Sequence, residues 1–314
     1  MASPEYVVSV DSRAQSGVRS AIVAYALWGS LTAFWKLLNE FSAVELIGWR
    51  VIAAVVVLWV FITMRGNLST VRTALQDRNV RWFLLPAAGL LIINWSTYVG
   101  AIVSGRVLET ALGYFLAPLI TMAIGVTILG ERLTPMRVVA IILVIVSISI
   151  LTASYGQVPW LSFALGGSWA FYGLVKRRVP LNPIHSLTGE VTTLLPLAVV
   201  VVIISLTRTG GVGELASGFD WVLLAATGLV TAAPLLLFAH AAPRVPFTLL
   251  GPIGWMVPII NFLLGWLAYS ETMTTARFIG FATVWLALVV VAVETVTRAR
   301  GERSIAQNET AISH

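Results

Sequence analysis

Hydrophobic and polar positions along this chain fall into long alternating blocks. Runs such as AAVVVLWVF (53–61) and AIILVIVSISIL (140–151) are apolar on every side, as helices that face lipid require. Each apolar block has about the 20 residues that span a bilayer as a helix. The pattern predicts ten transmembrane helices, at residues 20–38, 44–64, 81–103, 107–129, 135–153, 157–175, 185–206, 220–240, 247–269 and 276–296.

Composition supports an all-α integral membrane protein. The 314 residues are 58% hydrophobic and only 11% charged, with mean hydropathy +0.90, whereas soluble domains carry roughly 25% charged residues. The loops between spans are too short to hold a soluble domain, so we expect the function to reside within the helix bundle. The absence of cysteine excludes disulfides and thiolate chemistry.

The net charge of +6 has two readings, a nucleic-acid partner or membrane topology. The basic residues are scattered singly through the loops, which favours topology and argues against nucleic acid. With a cytoplasmic N-terminus, fifteen of the 20 Lys and Arg residues lie inside, and Arg50 lies within a span. We therefore predict an inner (plasma) membrane protein with both termini in the cytoplasm. Only four basic residues lie outside: Lys36, Arg106, Arg208 and Arg277.

The chain contains an internal repeat. A shift of 140 residues produces seven identities without gaps between 118–144 and 258–284, where about two are expected by chance. A shift of 138 overlays ALWGS (26–30) on ALGGS (164–168). Two halves of five spans result, 20–153 and 157–296, flanked by cytoplasmic tails 1–19 and 297–314. Because five is odd, the halves must be inverted relative to each other, an arrangement typical of secondary transporters.

Several motifs together resemble one known family. The segment NWSTYVGAIVSGRVLETALGYFLAPL (94–119) is similar to the signature of RarD-type transporters, which carry two EamA repeats and belong to the drug/metabolite transporter (DMT) superfamily. Further similarity lies in ELIGWR (45–50), PWLSFALGGSWAFYGLVKR (159–177) and GLVTAAPLLLFAHAAPR (228–244). The resemblance implies cytoplasmic termini and export of small metabolites or drugs. GPIGWMVP (251–258) departs from the aromatic-polar pair expected before its proline.

Ionisable groups within spans are candidates for function because charges are costly in a bilayer. Arg50 lies roughly 9 Å below the outer surface. Lys36, Glu45 and Glu109 lie at helix ends on the same side. We expect these four groups to form an outer cluster that attracts anions or gates the site. In the alternative reading, Lys36 and Glu45 simply reach the interface.

Glu190 aligns with Arg50 at the 140-residue shift. Inversion places the two backbones roughly 12 Å apart in depth, so nothing requires a direct ion pair. Glu190 is interpreted as an inner charge, either a proton acceptor or a gate partner. Protons are therefore a separate hypothesis for a coupling partner, shared between Glu190 and Glu109.

Aromatic and amide side chains predict a cavity for a planar, amphipathic solute. Asn94 and Tyr98 lie one turn apart on one face of the third span, and a buried Asn requires hydrogen-bond partners. For any one aromatic residue, packing between helices is the alternative. The aromatic candidates for substrate binding or gating are Trp95, Tyr98, Tyr114, Tyr172 and Trp255.

Two further paired features are interpreted as structural. Pro118 and Pro258 occupy equivalent positions within spans and are expected to act as hinges. LGERLTPMR (129–137) and YSETMTTAR (269–277) are expected to be turns in which Thr134 and Pro135 begin the next helix. The charged turn residues are Glu131, Arg137, Glu271 and Arg277.

The sequence thus predicts a secondary transporter, expected to be an exporter of small organic metabolites or drugs by alternating access. No cofactor or metal is expected, since the chain has no metal-ligand, nucleotide-binding or hydrolase motif. An enzyme is not expected. Two alternatives stay open: an integral-membrane enzyme that acts on lipid-linked substrates, and a membrane assembly protein that does not transport.

Overall fold

The computed structural model describes residues 4–128, 130, 134–245, 250 and 253–312. Within these residues the fold is entirely helical, with 84% helix and no strand, which confirms the predicted all-α class. The helices of the first half are α1 (Pro4–Lys36), α2 (Ala43–Met64), α3 (Leu68–Gln76), α4 (Arg78–Val103), α5 (Val107–Thr127) and α6 (Pro135–Tyr155). Those of the second half are α7 (Trp160–Lys176), α8 (Pro183–Thr207), α9 (Val212–Leu215), α10 (Gly218–Ala241), α11 (Met256–Leu263) and α12 (Thr275–Ile312).

Seven helices in the described part of the chain are long and apolar enough to cross a membrane: α2, α4, α5, α6, α8, α10 and residues Thr275–Glu294 of α12. Three other predicted spans correspond to part of α1, to α7 with 17 residues, and to the apolar stretch Met256–Ala268. In that last stretch a π-helical turn, Leu264–Ala268, follows α11 directly. The structure therefore shows a multi-pass membrane protein.

Local sequence explains where several helices begin. Ser42 and Glu45 form a reciprocal capping box at the start of α2. The Thr134 hydroxyl accepts a hydrogen bond from the backbone N–H of Arg137, and Pro135 follows it at the first helical position. Because both signals are local, they could be read from the sequence, and the prediction for Thr134 and Pro135 is confirmed.

The bundle has a buried centre and a peripheral pair of helices. In the most apolar window of each helix, 72% of α5 is buried, but only 17% of α6 and 28% of α12. α6 and α12 pack chiefly on each other, whereas α5 packs against α7 and α11. Around this centre, α2 contacts both α8 and α10, and α1 contacts α10 and α11. The interior is thus built from helices of both halves.

Close approach of α5 and α7 depends on glycine. A Cβ added to Gly166 would lie 2.6 Å from the carbonyl oxygen of Gly113. Small residues allow such backbone contact between helices in membranes, where packing rather than the hydrophobic effect drives association. At the neighbouring Gly167, an added Cβ would meet no atom of the described residues within 4 Å. The requirement for glycine is therefore specific to one face of α7.

Candidate functional site

Arg50 lies in the interior of the bundle, with only 5% of its surface exposed. Its Nε donates a hydrogen bond of 3.1 Å to the hydroxyl of Thr231 on α10. The guanidinium carbon lies 3.8 Å from the centre of the Trp95 ring and 5.4 Å from that of Trp35. The cation is therefore held by aromatic faces and one hydroxyl.

A polar chain extends from this position to the second half of the protein. The hydroxyls of Tyr98 and Thr32 are 2.9 Å apart, and Thr32 donates to the side-chain oxygen of Asn261 on α11 over 2.8 Å. Tyr98 lies one turn beyond Trp95 on α4, and its ring packs edge to face with that of Tyr114, with centroids 5.7 Å apart. We call these eight residues the Arg50 cluster: Thr32, Trp35, Arg50, Trp95, Tyr98, Tyr114, Thr231 and Asn261.

Asn94 contacts α7. Its side-chain amide nitrogen donates to the carbonyl oxygen of Leu165 at 3.0 Å and to the hydroxyl of Ser168 at 3.2 Å. Asn94 and Tyr98 are both buried, but their hydrogen-bond partners lie on different helices. Asn94 joins two helices, whereas Tyr98 belongs to the Arg50 cluster.

Glu190 is fully buried and forms a separate network with α7. Its carboxylate pairs with the ammonium group of Lys176 and accepts hydrogen bonds from Tyr172 at 2.8 Å and Ser186 at 2.6 Å. Lys176 also donates to Ser186 at 2.7 Å. Glu190 and Arg50 thus have different partners, in agreement with the expectation that nothing forces them to meet.

A third charged group lies where α5 begins and the π-helical turn ends. The Glu271 carboxylate accepts hydrogen bonds from the backbone amides of Val107 at 2.5 Å and Leu108 at 3.0 Å. It therefore caps α5 rather than the helix that follows it in sequence, where it also benefits from the positive end of the helix dipole. Burial nevertheless raises the pKa of the Glu271 carboxyl. Lys36 lies nearby, 5.3 Å above the Tyr269 ring.

The four charged groups expected to form one outer cluster have different partners in the structure. Glu109 forms a bidentate pair with Arg106, at 2.6 and 2.8 Å. Glu45 is engaged in the capping box of α2, and Lys36 lies over Tyr269. Arg50 lies deeper, in its own cluster. The depth of each group along its helix could be read from the sequence, but the rotation that decides each neighbour could not.

The turn residues are placed as follows. Arg137 lies 3.7 Å from the carboxylate of Glu294 on α12. Arg277 lies over the Tyr155 ring at 4.2 Å and donates to the carbonyl oxygen of Thr272. Glu131 lies outside the described residues. Within the described residues, Arg137 therefore joins the start of α6 to α12.

The remaining predicted residues lie within or beside α5 and α11. Pro118 lies within α5, and Pro258 is the third residue of α11. Trp255 immediately precedes α11 and is partly buried against the cluster that contains Phe115 and Phe262. Trp255 thus packs among apolar side chains.

Several polar residues at these sites were missed from the sequence. Asn261 had a signal, because IINF (259–262) repeats the pattern of IINW (92–95) around Asn94. Lys176 was assigned to a cytoplasmic loop because it begins the basic run KRR (176–178). Trp35 had a signal in WKLL (35–38), a stretch that shares the family resemblance. The two Thr hydroxyls of the Arg50 cluster and Ser186 carry no signal that separates them from ordinary helix residues.

The fold and these interior polar groups define a polytopic helical membrane protein with a charged site inside its bundle. Comparison with known families gives the class. The EamA-like transporter family matches residues 15–153. The chain is 35% identical over 298 residues to Protein RarD of Streptomyces exfoliatus, covering 95% of this chain and 94% of the relative.

Other relatives agree. Protein RarD of Escherichia coli (strain K12) is 31% identical, with 90% of this chain and 95% of the relative covered. The uncharacterized transporter YojE of Bacillus subtilis (strain 168) is 30% identical, with 92% and 98% covered. The chain belongs to the RarD-type EamA transporters of the DMT superfamily.

One solved crystal structure has the same fold. It superposes with a TM-score of 0.57 at 19% identity, and covers 88% of this chain and 96% of its own. At this identity the likeness concerns the fold alone. The predicted family is confirmed by the relatives rather than by this structure.

Proposed function

We propose that this protein is a secondary transporter that exports small organic metabolites or drugs across the inner membrane by alternating access. The observation that carries the proposal is the Arg50 cluster. A cation buried between helices of both halves is costly in a membrane protein and marks a solute pathway by default. Transporters place their sites in this way, at the interface between repeats.

An inverted repeat of two five-helix units, 20–153 and 157–296, is part of the proposal. The packing of the helices supports it. If each span of one half is replaced by its equivalent in the other half, one set of helix contacts becomes another set that is also present. The contact of α1 with α10 corresponds to that of α4 with α7, and α1 with α11 to α5 with α7. The contact of α2 with α10 corresponds to α4 with α8. In this arrangement Pro118 and Pro258 are the hinge elements, and both termini are cytoplasmic.

Roles within the site follow from the contacts. Arg50, Trp95, Tyr98 and Tyr114 bind the solute. Asn94 holds α4 against α7 beside them. Five groups act in gating: Lys36, Glu109, Tyr172, Glu190 and Trp255. Among them, Lys36 contacts Tyr269, and Tyr172 and Glu190 join α7 to α8, so these contacts must change when the helices separate.

Proton coupling is a second, separate part of the proposal. Glu190 is the candidate acceptor because it is fully buried and faces one cation, Lys176, and two hydroxyls. A proton on Glu190 would release Lys176 and couple protonation to movement of α7. Flux that ignores an imposed pH gradient in the wild type would remove this part alone.

Flux measured in proteoliposomes tests the transport function. Counterflow of a broad metabolite panel is expected for the wild type, with a strong loss in Arg50→Ala and Asn94→Ala. Arg65→Ala is a matched control, because Arg65 lies exposed at the end of the same helix as Arg50. Undiminished flux in both site variants would show that the site is assigned wrongly, and absence of flux for every solute would contradict the transporter itself.

A further inference from the structure

Three buried nitrogen donors of the Arg50 cluster have no hydrogen-bond partner within the described part of the chain: Nη1 of Arg50, the indole N–H of Trp35, and the side-chain amide nitrogen of Asn261. Arg50, Trp35 and Asn261 are 5%, 1% and 0% exposed. Buried donors are almost always paired in proteins, because an unpaired one loses its hydrogen bonds to water without replacement. Other buried atoms, such as the indole N–H groups of Trp49 and Trp285, also have no partner among the described residues, but this cluster combines three free donors, one of them on a cation, and they are available to an acceptor that binds there.

The side chains that carry the three donors are connected through shared neighbours. Arg50 and Trp35 are in contact through the cation and the indole ring. Trp35 lies one turn beyond Thr32 on α1, and Thr32 is hydrogen-bonded to Asn261. The Tyr98 hydroxyl lies 2.9 Å from that of Thr32. Each unpaired donor thus belongs to a side chain that is linked to the others by contacts among α1, α2, α4 and α11.

The charge of this cluster is unbalanced. Among the described residues, no ion pair includes Arg50, since the carboxylates of Glu109 and Glu190 are paired with Arg106 and Lys176. A water molecule could satisfy a donor but not neutralise the cation. The aromatic rings and the Thr231 hydroxyl stabilise the cation but leave its charge unneutralised, whereas buried charges are usually paired.

We propose that the missing partner is the solute, a small organic anion with one carboxylate and a flat apolar body. This rests on the proposed transport function. The carboxylate accepts hydrogen bonds from Arg50 and from the neutral donors beside it, a pairing for which the guanidinium fork is suited. A single cation matches a monoanion better than a phosphate dianion. The Trp95, Tyr98 and Tyr114 rings provide flat surfaces for the apolar body.

Equilibrium binding to the purified full-length protein in detergent tests this, with intrinsic tryptophan fluorescence as the signal. Three probes share one ring and differ in charge: benzoate, benzamide and benzylammonium. Benzoate is expected to bind about tenfold or more tightly than benzamide, the ratio that a charge-assisted hydrogen bond gives. Benzylammonium is expected to show no saturable binding. Equal affinity for the anion and the cation would overturn the proposal.

Substitutions locate the site. Asn261→Asp keeps an oxygen that can accept from Thr32, replaces the free donor with a second acceptor and adds a negative charge, so it should reduce benzoate binding. Arg50→Gln should abolish the preference for benzoate over benzamide, and Arg50→Lys, which keeps the charge, should retain a weaker preference. Arg65→Gln, the matched control at the residue that follows α2, should bind like the wild type. An unchanged preference in folded Arg50→Gln, or in Asn261→Asp if Arg50→Gln does not fold, would overturn the proposal.

Flux separates this inference from the proposed function. Suppose that proteoliposomes exchange uncharged solutes and that the purified protein shows no preference for benzoate. This result would overturn the anion site and leave the transport function intact. Preference for benzoate that disappears in Arg50→Gln, without flux of any solute, would support the anion site and contradict transport. A preference together with benzoate counterflow supports both.

Discussion

Separating Lys176 from Glu190 should destabilise the protein by an amount that depends on which partner is removed. The Glu190 side chain is fully buried, whereas that of Lys176 keeps 22% of its surface exposed. In Lys176→Met the carboxylate retains only the hydroxyl donors of Tyr172 and Ser186, which leaves a buried charge without a counter-ion. Removing one partner of a buried ion pair costs about 3–5 kcal/mol.

The reverse substitution should cost less. In Glu190→Gln the lysine remains charged but can extend to water at the end of α7, and the new amide can keep hydrogen bonds with the two hydroxyls. What is lost is one charged hydrogen bond, about 1.5–3 kcal/mol. The double variant Lys176→Met/Glu190→Gln leaves no unpaired charge. Its free energy of unfolding should therefore exceed the value expected from additive losses by about 1–3 kcal/mol.

Unfolding by SDS titration in mixed micelles, followed by tryptophan fluorescence, gives the free energies for this cycle. The control is Arg177→Gln, which removes the exposed cation adjacent to Lys176 and should change stability by no more than about 0.5 kcal/mol. Equal losses in Lys176→Met and Arg177→Gln, or strict additivity in the double variant, would refute the reasoning.

Three other predictions concern helix packing, pH dependence and a buried amide. Gly166→Ala should cost about 1–3 kcal/mol, because its Cβ would lie 2.6 Å from the Gly113 carbonyl oxygen. Gly167→Ala, whose added Cβ would meet no described atom within 4 Å, should be neutral or stabilising. Thermal denaturation of both variants measures the difference. Because burial raises the folded-state pKa of Glu271, the folded protein binds more protons than the unfolded chain, and stability should fall as pH rises above the ordinary value of 4.5. The fall in stability with rising pH should be smaller in Glu271→Gln. An equal fall in both proteins would contradict the attribution of this pH dependence to Glu271. Asn94→Leu loses two hydrogen bonds and should cost about 1–2 kcal/mol in SDS titration, whereas an unchanged midpoint would show that these bonds contribute nothing.

The candidate site was predicted in part. The position of Arg50 within an apolar span made it a candidate before any neighbour was known, because an isolated charge in such a run stands out. Its hydroxyl partner, Thr231, lies 181 residues away, and nothing in the pattern of α10 distinguishes that threonine. The Glu190 carboxylate was likewise found, but its partner Lys176 was hidden in a basic run that topology explained equally well.

Local physics accounts for what the sequence determined by itself. Each span must satisfy its own backbone hydrogen bonds in lipid, so the apolar blocks, their helical state and caps such as Thr134 are visible without knowledge of neighbours. The family could be recognised for a similar reason, since its motifs are contiguous. These features need no information from elsewhere in the chain.

Only the tertiary structure decided which buried groups meet. Helical periodicity gives the face on which a side chain lies, but not which helix packs on that face or how far it is rotated. Glu271, which the sequence placed only in a turn, therefore caps α5, some 163 residues earlier in the chain. For the same reason only the packed bundle shows that Arg50, Trp35 and Asn261 bring unpaired donors into one cluster, and that the carboxylates which could have neutralised Arg50 pair elsewhere.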